Sequence, residues 1–118
     1  MAAQLPKRIL IVDDDPSVLM VWKLVLERAG YVVDATNDIP TARGMCLPKN
    51  PYHLVICDGN VHTKNKGDGA AFAQELSLNG IHVVLISSRD YSHLGVPSYI
   101  KGITNERLRE IVLAHISD

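Results

Sequence analysis

The run Ile9-Leu10-Ile11-Val12 passes without a break into Asp13-Asp14-Asp15. Four apolar residues in succession leave no polar face, so the segment reads as a strand covered on both sides, as in a parallel sheet. Parallel strands need crossover connections, so the chain must alternate strand and helix. Three adjacent carboxylates at the end of such a strand repel one another unless a cation lies between them. Oxygen-only ligands suit a hard cation such as Mg²⁺. In open α/β folds ligands bind outside the carboxyl ends of the strands, which is where these acids stand. Asp15 has a simpler role, because Asp before Pro16 is a good helix start. That leaves Asp13 and Asp14 to be explained.

The rest of the chain keeps the alternation. Pro16 to Ala29 carries Val18, Val21, Trp22, Val25, Leu26 and Ala29 at helical spacing, and Gly30 follows as a stop. Trp22 reads as core packing. Tyr31 to Ala35 is a short second strand, and Asn37 or Asp38 can cap a helix running to about Leu47. Pro48 to Pro51 is a turn. His53 to Cys57 is a third strand ending on Asp58. Asp68 to Leu78 is a helix broken by Asn79-Gly80. Ile81 to Ile86 is a fourth strand ending on Ser87-Ser88. Pro97 to Ile100 is a brief fifth strand ending on Lys101. Thr104 can cap a last helix through Ile116, with Leu108, Ile111, Val112 and Ile116 on one face. The expected fold is a doubly wound α/β fold: a five-stranded parallel sheet with helices on both faces and right-handed crossovers. One link is too short. Arg89 to Val96 joins the fourth and fifth strands with no apolar period, so the helix expected there is missing or cut to a single loosely packed turn.

Composition narrows the class. The chain has 118 residues, 47% of them hydrophobic, which fits one domain spanning residues 1–118. A net charge of −1 with mixed signs gives no basis for a nucleic-acid or membrane surface. No apolar run is long enough to cross a bilayer, and Met1 to Arg8 lacks a signal-peptide apolar region. Cys46 and Cys57 lack metal-like spacing, so a reduced, cytoplasmic protein is the expectation.

The strand ends together present Asp13 and Asp14, then Asp58 with Gly59 and Asn60, then Ser87, then Lys101. Each residue alone has an ordinary reading: a strand-end lysine is usually solvated and a strand-end serine usually caps or turns. As a set at corresponding ends they suit phosphoryl transfer, which needs charge neutralisation and positioning. A carboxylate can carry the phosphoryl group, and an ammonium and a hydroxyl can bind its oxygens.

At this point the chain resembles a two-component response-regulator receiver domain over about Lys7 to Ser117. The opening Ile9-Leu10-Ile11-Val12-Asp13-Asp14-Asp15-Pro16-Ser17-Val18 and the approach Leu54-Val55-Ile56-Cys57-Asp58 carry the likeness. The resemblance implies a flavodoxin-like topology. It implies Asp58 as phosphoacceptor, Ser87 as the switch hydroxyl and Lys101 as the lysine that contacts the phosphoryl group. It implies Mg²⁺ held by Asp14 directly, by Asp13 mostly through water, by Asp58 and by the backbone carbonyl of Asn60, with Asn60 and Arg89 lining the approach of water. It also implies a phosphohistidine donor on a histidine kinase or histidine phosphotransfer domain, and a module that is not an enzyme beyond its own phosphorylation and dephosphorylation.

Four departures stand against that pattern. The loop from Gly59 to Gly69 is longer than usual, lacks a proline and carries Lys64 and Lys66, which are either solvated or a docking contact. Gly102 follows Lys101 where receivers usually have a cis-proline; a cis bond to glycine is costly, so the lysine loop is expected to take another shape. Ser98 occupies the usual switch-aromatic position, and Tyr99 beside it should face the other side of the sheet. The helix before the fifth strand is degenerate, and an order–disorder shift of that segment on phosphorylation is the expectation.

Three rival readings remain in view. A receiver that is no longer phosphorylated would be a constitutive binding module. A phosphatase of the haloacid-dehalogenase type would use Asp13-x-Asp15, but such enzymes need more chain, and Asp15 is taken up as a cap. A nucleotide- or flavin-binding domain would need a glycine-rich phosphate loop after the first strand, and this chain has acids there.

Overall fold

A computed structural model describes residues 5–61 and 67–116 of the chain. Lys64 and Lys66 therefore lie outside the described residues. The elements are β1 (Arg8–Val12), α1 (Pro16–Arg28), β2 (Val32–Thr36), α2 (Ile39–Cys46), β3 (Leu54–Cys57), α3 (Asp68–Leu78), β4 (Val83–Ser87), β5 (Ser98–Ile100) and α4 (Asn105–His115). All pairings are parallel, in the order β2-β1-β3-β4-β5. This is the flavodoxin-like order, and its direction reverses between β1 and β3.

Period-two alternation divides the central strands between two cores. Leu10, Val12, Val55, Cys57, Val83 and Leu85 face α2 and α3. Ile9, Ile11, Leu54, Ile56, Val84 and Ile86 face α1 and α4. This is why β1, β3 and β4 read as unbroken apolar runs. Trp22 and Leu26 bury one side of α1, as their spacing predicts, whereas Val21 is exposed. Val21 marks the edge of the apolar stripe, where 3.6-residue periodicity carries it out of the interface.

Each helix that starts at a polar cap uses the residue the sequence offers. Asp15 Oδ1 accepts from Ser17 N at 2.9 Å and from Ser17 Oγ at 2.7 Å. Asp38, rather than Asn37, caps α2 by accepting from Thr41 N at 2.8 Å. Thr104 Oγ1 accepts from Arg107 N at 3.0 Å at the start of α4. Arg43 of α2 makes a forked ion pair with Glu75 of α3, with contacts of 2.7 to 3.2 Å.

The link from β4 to β5 holds a single 3-10 turn, Ser92–Leu94, in place of a helix, as its length and lack of period foretold. Its packing is not loose, and that expectation is corrected. Tyr91 and Val96 are 6% and 4% exposed and complete the core on the α3 face. Gln74 Nε2 of α3 donates to Leu94 O at 3.2 Å and ties the turn down. With no helix over this part of the sheet, Tyr91 and Val96 supply the apolar cover.

Two glycines show opposite constraints. A Cβ on Gly69 would lie 2.1 Å from the backbone carbonyl oxygen of Asp58, whereas one on Gly44 in α2 would meet nothing within 4 Å. Gly69→Ala should therefore cost about 2 kcal/mol or more, since backbone cannot yield cheaply. Gly44→Ala should stabilise the protein by up to about 1 kcal/mol through helix propensity. Chemical denaturation of both variants checks the pair; equal effects would contradict this packing.

Candidate functional site

Backbone hydrogen bonds carry the strand ladders one step past the strands and so place the polar residues. Asp13 N donates to Thr36 O at 3.2 Å, Asp58 N to Val12 O at 2.9 Å, and Lys101 N to Ser87 O at 2.8 Å. Val12 is in register with Cys57, so Asp13 and Asp58 emerge side by side where the sheet order reverses. Asp13, Asp58 and Ser87 are the buried polar residues of the described chain, and Asp14 beside them is exposed.

The Lys101 ammonium bridges the two buried acids. It lies 2.8 Å from Asp58 Oδ2 and 2.7 Å from Asp13 Oδ2. Only the first contact has hydrogen-bond geometry, and Asp13 Oδ2 is left as a buried oxygen without a hydrogen-bond donor. Lys101 thus reaches the site although Gly102 follows it and the lysine loop was expected to take another shape. The Lys101–Gly102 bond is trans, and Gly102 turns the chain at a φ of +94°, a conformation that favours glycine. The loop takes another route to deliver the same ammonium.

Burial pushes the Asp13 carboxyl above its ordinary value; Lys101 and the Asp15 N–H partly offset this, and Asp58 reinforces it. Burial pulls Lys101 down, but its contacts with Asp13 and Asp58 more than compensate and hold it above its ordinary value. Cys57 is pushed far up by burial, with nearby carboxylates adding to it, and its thiol donates to the carbonyls of Asp58 and Gly69. It is a packing residue rather than a nucleophile.

One oxygen from each of Asp13, Asp14 and Asp58 lies within 4.8 Å of the others. Three carboxylates against one ammonium leave two formal negative charges, which one divalent cation would cancel. The donors are hard oxygens, and Asp13 Oδ2 has no hydrogen-bond donor, so the residues present fit Mg²⁺. Asp15 is turned away to cap α1, which removes the Asp13-x-Asp15 pair that a haloacid-dehalogenase phosphatase would need.

The remaining site residues gather around the loop after Asp58. Asn60 N donates to Asp58 Oδ1 at 2.9 Å, and Gly59 N donates to Ser87 Oγ at 2.7 Å. Arg89 is exposed. Tyr99 turns to the α1 and α4 face, as alternation predicts, and its hydroxyl pairs with His115 Nε2. Tyr91 and Ser88 were not expected here. The Tyr91 hydroxyl donates to Asn60 Oδ1 at 2.6 Å, and Asn60 Nδ2 donates to Ser88 Oγ at 2.6 Å. The available signal was weak: an aromatic residue close after β4 in a chain with only 5% aromatics.

Residues 9–105 match the family described as response regulator receiver domain. Among solved structures, a receiver domain protein (CheY-like) from Methanospirillum hungatei is similar, with a TM-score of 0.76 and 22% identity over 93% of each chain. The signal receiver domain of a Luxo repressor protein from Vibrio parahaemolyticus has a TM-score of 0.78 and 19% identity over 94% of this chain and 90% of that one. The response regulator protein TrrA from Thermotoga maritima, solved in complex with Mg(2+)-BeF, has a TM-score of 0.75 and 26% identity over 92% of this chain and 97% of that one. Among curated proteins none matches significantly. On the family match, which spans most of its length, the chain belongs to the response regulator receiver domains.

Proposed function

We propose that this domain accepts a phosphoryl group on Asp58 from a phosphohistidine of a histidine kinase or histidine phosphotransfer domain. The observation that supports this most is the Asp13–Lys101–Asp58 bridge beside Asp14 at the reversal of the sheet order. Asp13, Asp14, Asp58 and the Asn60 backbone carbonyl would hold Mg²⁺. When bound, the ion supplies charge neutralisation that lets an anionic phosphoryl group approach the acids.

The chain's own residues do the rest. A carboxylate oxygen of Asp58 attacks phosphorus, the P–O bond forms, and the P–N bond of the donor breaks with its electron pair leaving on the imidazole nitrogen. Lys101 already touches Asp58 Oδ2 and can follow the phosphoryl oxygens as the charge moves outward. Ser87 Oγ accepts from Gly59 N–H, so its own proton is free to be donated to a phosphoryl oxygen. Hydrolysis later returns the carboxylate when water attacks phosphorus and inorganic phosphate leaves. Phosphorylation replaces the single carboxylate charge of Asp58 with close to two negative charges on oxygens further from the sheet, which draws Lys101 and Ser87 and favours one loop state. The module catalyses only its own phosphorylation and dephosphorylation. No helix of the described residues is long and apolar enough to cross a membrane, and the proposed setting is the cytoplasm, where phosphohistidine donors and free Mg²⁺ meet.

Incubation with acetyl phosphate and Mg²⁺ should add the mass of one phosphoryl group to the wild type and none to Asp58→Asn. A wild type that gains no mass would leave a constitutive binding module as the reading. Binding should also appear in stability. At a hundred times its dissociation constant, Mg²⁺ should stabilise the wild type by about 2.7 kcal/mol. Asp13→Asn should raise the unfolding midpoint without Mg²⁺ and lose most of the response to it. The sign follows from burial: the folded carboxyl of Asp13 titrates above its unfolded value, so its cost is present at neutral pH and is relieved as pH falls through the folded value. Mg²⁺ affinity should weaken over that same fall in pH, because a protonated ligand binds no metal. Thermal unfolding against pH and Mg²⁺ checks all three; a midpoint indifferent to Mg²⁺ would contradict them.

A further inference from the structure

We infer that Tyr91 is a positioning residue for the phosphoacceptor loop, holding Asn60 in the geometry that completes the cation site. The inference rests on the proposed Mg²⁺-dependent chemistry at Asp58 and adds a residue to it that the receiver pattern did not assign. Tyr91 lies in the link between β4 and β5, yet it is 6% exposed. Its ring covers Gly59 so closely that a Cβ there would come within 2.4 Å of ring carbon Cε2. Its hydroxyl donates to Asn60 Oδ1 at 2.6 Å.

Asn60 stands two residues after the acceptor and is held by three hydrogen bonds. Its side-chain amide is held at both ends, by the Tyr91 hydroxyl and by Ser88 Oγ at 2.6 Å. Its backbone N–H donates to Asp58 Oδ1 at 2.9 Å, and Val61 N closes the turn on Asp58 O at 3.2 Å. Rotating the Asn60 backbone would move both that N–H and the carbonyl proposed to face the cation. A hydrogen bond to the side chain, made in a partly buried setting, resists the rotation.

Tyr91 is itself pinned from the far side. Its N–H donates to Ser98 Oγ at 3.3 Å, and its carbonyl accepts from Leu94 N at 3.0 Å to start the Ser92–Leu94 turn. Ser98 stands where the receiver pattern has an aromatic. The fifth strand thus provides a small hydroxyl, and the ring comes from the neighbouring link. Through Tyr91 the acceptor loop and the Ser92–Leu94 turn move together or not at all.

Titration calorimetry of Mg²⁺ alone, without phosphodonor, tests this. Tyr91→Phe keeps the ring and removes the hydroxyl. It should raise the Mg²⁺ dissociation constant about fivefold, the worth of one neutral hydrogen bond. Asn60→Ala, which also loses the contact with Ser88, should have an effect at least as large, and the double variant should be no worse than Asn60→Ala, because the Tyr91 hydroxyl acts through the Asn60 side chain. Amide shifts of Ser92–Leu94 on adding Mg²⁺ should be present in the wild type and reduced in Tyr91→Phe. Gly59→Ala, which displaces the ring, should weaken Mg²⁺ binding as well. A Tyr91→Phe variant with a lowered unfolding midpoint and unchanged Mg²⁺ affinity would overturn the positioning role and leave the ring as packing alone. Additive effects of the two substitutions would overturn it too. A wild type that binds no Mg²⁺ would instead overturn the cation site itself, and this inference with it.

Discussion

The structure depends on an unbalanced charge held at one end of the sheet. Two carboxylates are buried at adjacent strand ends, a third stands beside them, and one ammonium is shared between the buried pair. Burying charge is costly unless it is paired, and two buried carboxylates share one ammonium here. The sheet absorbs that cost because its middle is apolar on both faces, so the acids are carried to the rim by strands that could not sit elsewhere. The residual negative charge is what fits the site to a cation, and such a cation would make it tolerant of phosphate.

Much of this was legible in the residues. The unbroken apolar runs of β1, β3 and β4 identify central parallel strands, and the first polar residue after each joins the candidate site. That simple rule finds Asp13, Asp58 and Ser87, and Lys101 after β5 follows it. Strand limits shifted by one or two residues: β4 runs Val83–Ser87 rather than Ile81–Ile86, and β2 runs Val32–Thr36 rather than Tyr31–Ala35. The pairing of Asp13 N with Thr36 O extends the ladder there, and no local propensity records that.

The link between β4 and β5 was legible only in part. Its length and lack of period exclude a full helix, and one 3-10 turn is found. Its tight packing was hidden because burial there comes from the uncovered sheet face, not from any pattern in the link. Tyr91 and Val96 fill a vacancy that only the assembled layers define. Gly102 is similar: the residue announces that the lysine loop differs, but only the folded chain shows that a positive φ still brings Lys101 to Asp58.

Asp58, framed by Asp13, Asp14 and Lys101, is proposed as a phosphoryl-accepting carboxylate that works with a divalent cation. The most direct measurement is a crystal structure of the wild type grown with Mg²⁺ and beryllofluoride, a phosphoryl mimic. Beryllofluoride should be bound to an Asp58 carboxylate oxygen, with Lys101 and Ser87 on its fluorines and Mg²⁺ among Asp13, Asp14, Asp58 and the Asn60 carbonyl. Asp58 left unmodified under those conditions, with Lys101 still bridging it to Asp13, would rule out this role for Asp58.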